Sequence, residues 1–337
     1  MARSDSRPRS FWTFFTIGLA SGVLLLTAFG SPAQSAAPYP SKAMTLICPF
    51  SAGGASDLVG RAVADYLRKK WGQPVNVVIK TGAGGTTGTV DGLQAAPDGY
   101  TLFLAGNSNG TINPALEKNL PYKWDQPTIV ARVATNTRVL IVKADSKWKT
   151  AKELVDDIAK NPKNFKMGTG SAAGPSTFLT AQILGGAGID FTLPARVVFQ
   201  GGAPVVTAVA GGHVDFASQS VSEVWSLVEA GRIRALAVTS TERAKQLPNV
   251  PTGKEAGFPW FTWLGYTGIQ GPPNLPDAVV KLWSEALKEA ARDPEFQKKM
   301  DDVGATPAYM GPEEFKSFLN TQYEEAIQVL DKLGLRK

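Results

Sequence analysis

After Pro38 the chain alternates short, largely apolar runs with stretches in which apolar residues recur at helical spacing. Thr45–Cys48, Val75–Ile79 and Thr101–Ala105 are such runs, bounded by Gly, Pro and Asp, and predict buried strands. Between the first two, Val59, Ala62, Val63, Tyr66 and Leu67 predict a helix, with Ser56 or Asp57 as its N-cap. The pattern restarts at Val139–Val142, and Thr150 with Glu153 has the capping-box spacing for a helix running to Lys160. Strands are predicted at Lys166–Thr169, Val197–Phe199, Asp215–Ser218 and Ile233–Val238. Helices are predicted between them at Ser176–Leu184, Ala203–Ala210 and Ser222–Glu229, with Gly211 and Gly231 as stops. A Pro-rich aromatic stretch from Pro248 to Pro276 leads into two or three amphipathic helices, with Pro276 and Pro312 in first-turn positions.

Strand–helix–strand alternation implies an α/β protein whose parallel or mixed sheets are covered by helices. Two such units followed by a helical tail predict one lobe interrupted by another. The boundaries expected are 38–138 plus 260–337 for lobe one and 139–259 for lobe two. Loops at the carboxyl ends of strands would then line a ligand cleft between the lobes.

Residues 1–36 read differently. Arg3, Arg7 and Arg9 precede an uncharged stretch from Phe11 to Phe29, and small residues follow from Ser31 to Ala37. A basic start, an apolar middle and the Ala33-Gln-Ser35 cleavage pattern predict a cleavable secretory signal, hence export to the periplasm. An uncleaved anchor is the alternative, because the apolar stretch is just long enough to span a bilayer.

Charge and cysteine usage narrow the classes. The formal charge of the 337 residues is +6, of which +2 falls in the signal segment. No run of Lys or Arg is interleaved with aromatics, so nucleic acid is not an expected partner. The single Cys48 excludes an internal disulfide and sits in the apolar Leu46-Ile-Cys48 run as a buried small hydrophobe.

Two enzyme-like patterns fail on their context. Gly106-Asn-Ser108-Asn-Gly110 has the spacing of a nucleophile elbow, but the one histidine, His213, lies in the turn Gly211-Gly-His-Val-Asp215. Asn113-Pro114 also follows too soon for the helix an elbow requires. Gly168-Thr-Gly170-Ser-Ala-Ala173 has dinucleotide-binding spacing, yet Asp190 precedes the next apolar run instead of ending it. One Cys, one His and scattered carboxylates make no metal site. Neither catalytic residues nor a cofactor is expected.

What remains is four small-residue loops at strand ends: Phe50–Gly54, Gly82–Thr86, Asn107–Asn109 and Thr169–Gly174. Glycine lets a backbone approach a ligand, and free N–H groups at helix starts favour an anion.

These loops carry a family resemblance. Tyr39–Phe50 followed by Gly53-Gly-Ala-Ser-Asp57 resembles the opening of the Bug/TctC substrate-binding proteins of tripartite tricarboxylate transporters. The similarity continues through Gly72-Gln-Pro-Val75, Gly82-Ala-Gly-Gly85, Ala96–Leu102, Ile112-Asn-Pro114, Gly211–Asp215, Ala230–Val238, Pro248–Thr252, Glu255-Ala-Gly257 and Gly311–Phe315. The resemblance implies a two-lobed periplasmic binding protein fold, type II-like, that closes around a small carboxylate with little use of Arg or Lys. That carboxylate could be a di- or tricarboxylate, an amino acid or an aromatic acid. Carried over by position, the first-lobe contacts are Phe50, Ser51, Gly53, Gly54, Gly85, Thr86, Asn107 and Asn109. The second-lobe contacts are Thr169, Ser171, Ser176, Phe199, Gln200, Ser218 and Ser220. The implied partners are the large and small membrane subunits of a transporter, served by a monomer. A ligand-loaded co-receptor for a sensor kinase is the alternative role. Ala172, Ala173 and Pro175 stand where small polar residues are common in the family, which implies a less polar pocket. Trp260, Trp263 and Tyr266 could add to it or pack between the lobes.

Overall fold

The computed structural model describes residues 39–171, 174–332 and 334–336, so the signal segment expected at 1–36 and the pair Ala172 and Ala173 lie outside the described residues. β1 (Met44–Cys48) leads into α1 (Ala55–Trp71), whose buried face is Val59, Ala62, Val63 and Leu67. Burying a Val or Leu of this kind contributes roughly 1.5–3 kcal/mol. The N-cap is Gly54, not Ser56 or Asp57. Asp57 instead sits in the first turn, where its carboxylate accepts from the Gly53 N–H at 2.8 Å and so holds the preceding loop. Arg68, Lys69 and Lys70 complement the dipole at the other end.

β2 (Val75–Ile79), α2 (Thr86–Leu93), β3 (Thr101–Gly106) and α3 (Asn113–Leu116) follow, with a π-helical turn over Ser108–Ile112. The Val139–Val142 run is the second part of a longer strand, β4 (Thr128–Lys143). Then come α4 (Ala151–Lys160), β5 (Lys166–Thr169), α5 (Pro175–Gly186), β6 (Ala195–Val198) and α6 (Gly202–Ala210). At α4 the Thr150 hydroxyl accepts from the Glu153 N–H at 3.1 Å, while Glu153 reaches back to Lys149 N–H. β7 (Phe216–Ser220), α7 (Val221–Glu229) and β8 (Ile233–Val238) complete this unit. The carboxyl-terminal part adds β9 (Leu264–Gly271), α8 (Asp277–Ala290), α9 (Pro294–Asp302), β10 (Thr306–Met310) and α10 (Pro312–Lys332). Two or three helices were expected here and three are found, but β9 and β10 were not expected.

The strands run in the order β2-β1-β3-β9-β4-β7-β5-β6, with β8 and β10 also paired to β4. β1, β2 and β3 are parallel, as are β5, β6 and β7, whereas β4 and β9 are antiparallel to their neighbours. β4 changes partners along its length. Thr128–Thr137 pairs with β9, and Arg138–Val142 pairs with β7. Arg138 is therefore the first residue past the change, between two halves of the sheet. One half packs its apolar residues on α5 and α4, around Leu140, Leu154, Phe178, Phe216 and Trp263, with a second cluster around Val139, Val205 and Val224. In the other, Ala105, Tyr266 and Phe315 form a cluster under α10. Among the described residues, no helix is long and apolar enough to cross a membrane.

Candidate functional site

The loops at the carboxyl ends of β1, β2, β3, β5 and β6 meet around a cleft with about 810 Å³ of atom-free space, its open mouth included. Its walls come from both halves of the sheet. Pro49–Ser51, Gly54–Ser56, Gly84–Gly85 and Gly106–Ser108 face Gly170–Ser171, Gly174–Ser176 and Gln200–Gly202. β4 contributes Asn136 and Arg138, β7 contributes Gln219 and Ser220, β9 contributes Gly265 and Tyr266, and α7 contributes Glu223.

Nine of the fifteen residues carried over from the resemblance line this cleft: Phe50, Ser51, Gly54, Gly85, Asn107, Ser171, Ser176, Gln200 and Ser220. The other six do not line it. Gly53 is exposed and its N–H is held by Asp57. Thr86 opens α2, and its hydroxyl accepts from Asn113 Nδ2 at 3.5 Å. Asn109 is buried and spends its amide on Thr89, Leu104 and Gly106. Thr169 donates to the Ser171 carbonyl at 2.7 Å. Phe199 packs on the cluster with Val205. Ser218 lies buried in β7, its carbonyl accepting from Ser176 Oγ at 2.5 Å and from Arg138 Nη1 at 3.3 Å.

Gly201 comes close to Ser51 across the cleft. Its φ is +103°, and an added Cβ would run into the Ser51 hydroxyl. This is a position where only glycine permits both the backbone turn and the contact. Ser51 Oγ has no hydrogen-bond partner among the described residues, nor has Asn136 Oδ1. Asn107 is spent on the frame, accepting from Tyr266 N–H at 3.2 Å and donating to Gln322 at 3.4 Å.

Two charged side chains enter the wall, and the sequence reading found neither. Burial pulls the Arg138 guanidinium below its ordinary range, and the Glu223 carboxylate pulls it back up. Glu223 accepts from Ala55 N–H at 3.2 Å across the cleft and from Ser220 N–H at 3.2 Å on its own side. Signals existed for both. Arg138 is a lone cation at the head of the apolar run Val139–Val142, and Ser220-Val-Ser-Glu223 has capping-box spacing.

The serine and the histidine of the elbow reading are not brought together. Ser108 lines the cleft, but His213 is exposed in the turn after α6 and is not among the lining residues. Cys48 is buried, and burial pushes its thiol up to about 12. Trp263 packs on Phe178 with centroids 4.3 Å apart, and Trp260 donates to the Ile183 carbonyl, so of the three aromatics only Tyr266 reaches the cleft.

A profile of the family described as the tripartite tricarboxylate transporter family receptor, TctC, matches residues 59–335. The chain belongs to that family. It is 33% identical over 287 residues to a UPF0065 protein from the TAR-I ttuE-ttuC' intergenic region of Agrobacterium vitis, covering 84% of this chain and 82% of that one. The structure is similar to the periplasmic binding protein BugD at a TM-score of 0.83 and 27% identity, covering 89% of this chain and all of that one (100%). It is also similar to MatC from Rhodopseudomonas palustris, solved with bound malate, at 0.80 and 25% identity over 87% and 100% of the two chains. This TctC-family chain is thus a solute-binding protein, and its α/β fold is that of periplasmic binding proteins. The resemblance implied little use of Arg or Lys. A guanidinium stands in the cleft wall, supplied by strand β4 and not by any of the four loops.

Proposed function

We propose that this TctC-family protein captures a small carboxylate between two lobes in the periplasm and passes it to the large and small membrane subunits of a tripartite tricarboxylate-type transporter. It performs no chemistry on the ligand. One observation carries the reading: the cleft is walled by both halves of the sheet, between which the chain passes along β4 and the segment from β8 to β9. Contacts made only when both halves meet a ligand stabilise a closed state over an open one. The lobes proposed are 38–138 plus 260–337 and 139–259, and the direct contacts proposed are the nine carried-over residues in the wall. The malate bound by MatC belongs to that protein, but it supports a carboxylate here.

The test uses protein recovered from the osmotic-shock fraction. Its amino terminus should lie near Ala36, and mild denaturation should release a small carboxylic acid identifiable by mass spectrometry. X-ray scattering should show expansion when that acid is removed and contraction when it returns. Release of a product that differs from the acid supplied would reveal catalysis, and a chain retained whole in the membrane fraction would restore the anchor.

A further inference from the structure

Glu223 is held from both sides of the cleft. One oxygen accepts from the Ser220 N–H and the other from the Ala55 N–H, each at 3.2 Å. The first contact closes the capping box of α7, so the side chain is fixed on its own half where it meets the other. Arg138 pairs in register with Ser220 and lies within the field of this carboxylate. The carboxylate is therefore not an unbalanced charge offered to a ligand.

The opposite half is shaped to receive it. The N-cap of α1 is Gly54, which has no side chain to cap with, so the Ala55 N–H in the first turn has no partner inside its own helix. An added Cβ at Gly54 would lie 3.3 Å from Oε1 of Glu223, and one at Gly202 would run into the carboxylate. The two glycines leave a slot that the side chain fills. A second contact stands beside the first. Gly304 brings the turn between α9 and β10 against α7, where an added Cβ would be 2.9 Å from Ser222 Cα and 3.0 Å from Trp225 Cδ1.

We infer that the start of α7 is a clasp between the two halves of the cleft, with Glu223 as a positioning residue for capture. It slows release of the bound acid by holding the Ala55 N–H, not by touching the acid. The inference rests on the two-lobed capture reading above and adds to it the contact that must break before the acid leaves.

Two variants break the contact from opposite ends. Ala55→Pro removes the donor and leaves the carboxylate in place. Proline suits this position, because Ala55 is the first residue of α1 and Gly54 before it is extended, at φ −76° and ψ 164°. Glu223→Ala removes the acceptor, and Glu223→Gln keeps an uncharged one. Stopped-flow fluorescence reads release of malate, adipate and benzoate, using each that binds the unaltered mature protein, in variants whose melting shows an intact fold. Ala55→Pro and Glu223→Ala should each release the acid at least about fivefold faster, with association changed by less than about twofold. Glu223→Gln should fall between. The double variant should be no faster than the faster single one, because both changes remove one interaction. X-ray scattering should also show the ligand-free Ala55→Pro protein expanded. Release hastened by Glu223→Ala but not by Ala55→Pro would put the carboxylate against the acid itself and overturn the clasp. Additive effects of the two changes, or unchanged dimensions of the Ala55→Pro protein, would overturn it too. Binding of none of the three acids overturns the carboxylate reading instead, and the scattering result then decides the clasp alone.

Discussion

Glu223 accepts a hydrogen bond from the Ala55 N–H at 3.2 Å across 168 positions of sequence, joining the first turn of α7 to the first turn of α1. The same carboxylate closes the capping box with Ser220. Glu223→Ala removes both, so the ligand-free protein should lose about 1–2 kcal/mol of stability and expand. Urea unfolding and X-ray scattering measure the two effects. Unchanged stability with unchanged dimensions would mean the contact ties nothing together.

Gly201 faces Ser51 across the cleft, with φ at +103°. Gly201→Val should therefore cost at least about 1–2 kcal/mol in backbone strain and hold the cleft open. Scattering should show little or no contraction on adding the co-purified acid. Normal contraction would place the closing contact elsewhere.

Ser176 and Ser171 both line the cleft but should respond differently to truncation. Ser176 Oγ donates to the Ser218 carbonyl and accepts from Gln219 Nε2 at 2.9 Å. Ser176→Ala strands buried groups and should lower stability by about 1–3 kcal/mol as well as binding. Ser171 is half-buried, so Ser171→Ala should weaken binding by about 1 kcal/mol with the melt little changed. Equal stability losses in the two variants would contradict the assignment.

Cys48 gives a pH dependence with a definite sign. Burial raises its thiol from 9.0 to about 12, so between those values the unfolded thiol ionises and the folded one does not. Its contribution is intact below pH 9 and is lost as pH rises towards 12, by about 1.4 kcal/mol per pH unit. Cys48→Ala should remove that part of the alkaline slope in urea titrations, and the native thiol should resist a thiol reagent until the chain unfolds. An unchanged slope together with fast native labelling would show Cys48 to be accessible.

Much of the frame was legible because it is written locally. β1, β3, β5 and β8, with α1, α4, α5, α6 and α7, are runs whose apolar positions match their burial, whereas β2, expected to be buried, is the edge strand with Val78 exposed. β9 was missed because Leu264–Gly271 carries three glycines, which lower strand propensity. Their reason lies outside the strand: at Gly268 an added Cβ would collide with the Phe315 ring of α10. β10 was missed because Pro307 interrupts it, a residue tolerated on the side of β4 where pairing is irregular.

The sequence by itself determined the class, since periodicity and turn residues act over a few positions and a family pattern runs along the chain from Tyr39 onward. It also marked the loops that supply six of those nine wall residues, while Ser176, Gln200 and Ser220 came from the family resemblance. Only the tertiary structure decided which of those loops face one another, and that β4 changes partners between Thr137 and Arg138. That change of partner carries a half-buried cation into the cleft wall, and a contact spanning 168 positions sets a carboxylate against the start of α1. Neither is encoded in spacing along the chain. Charges act through space, and which of them meet is settled by how the strands pair.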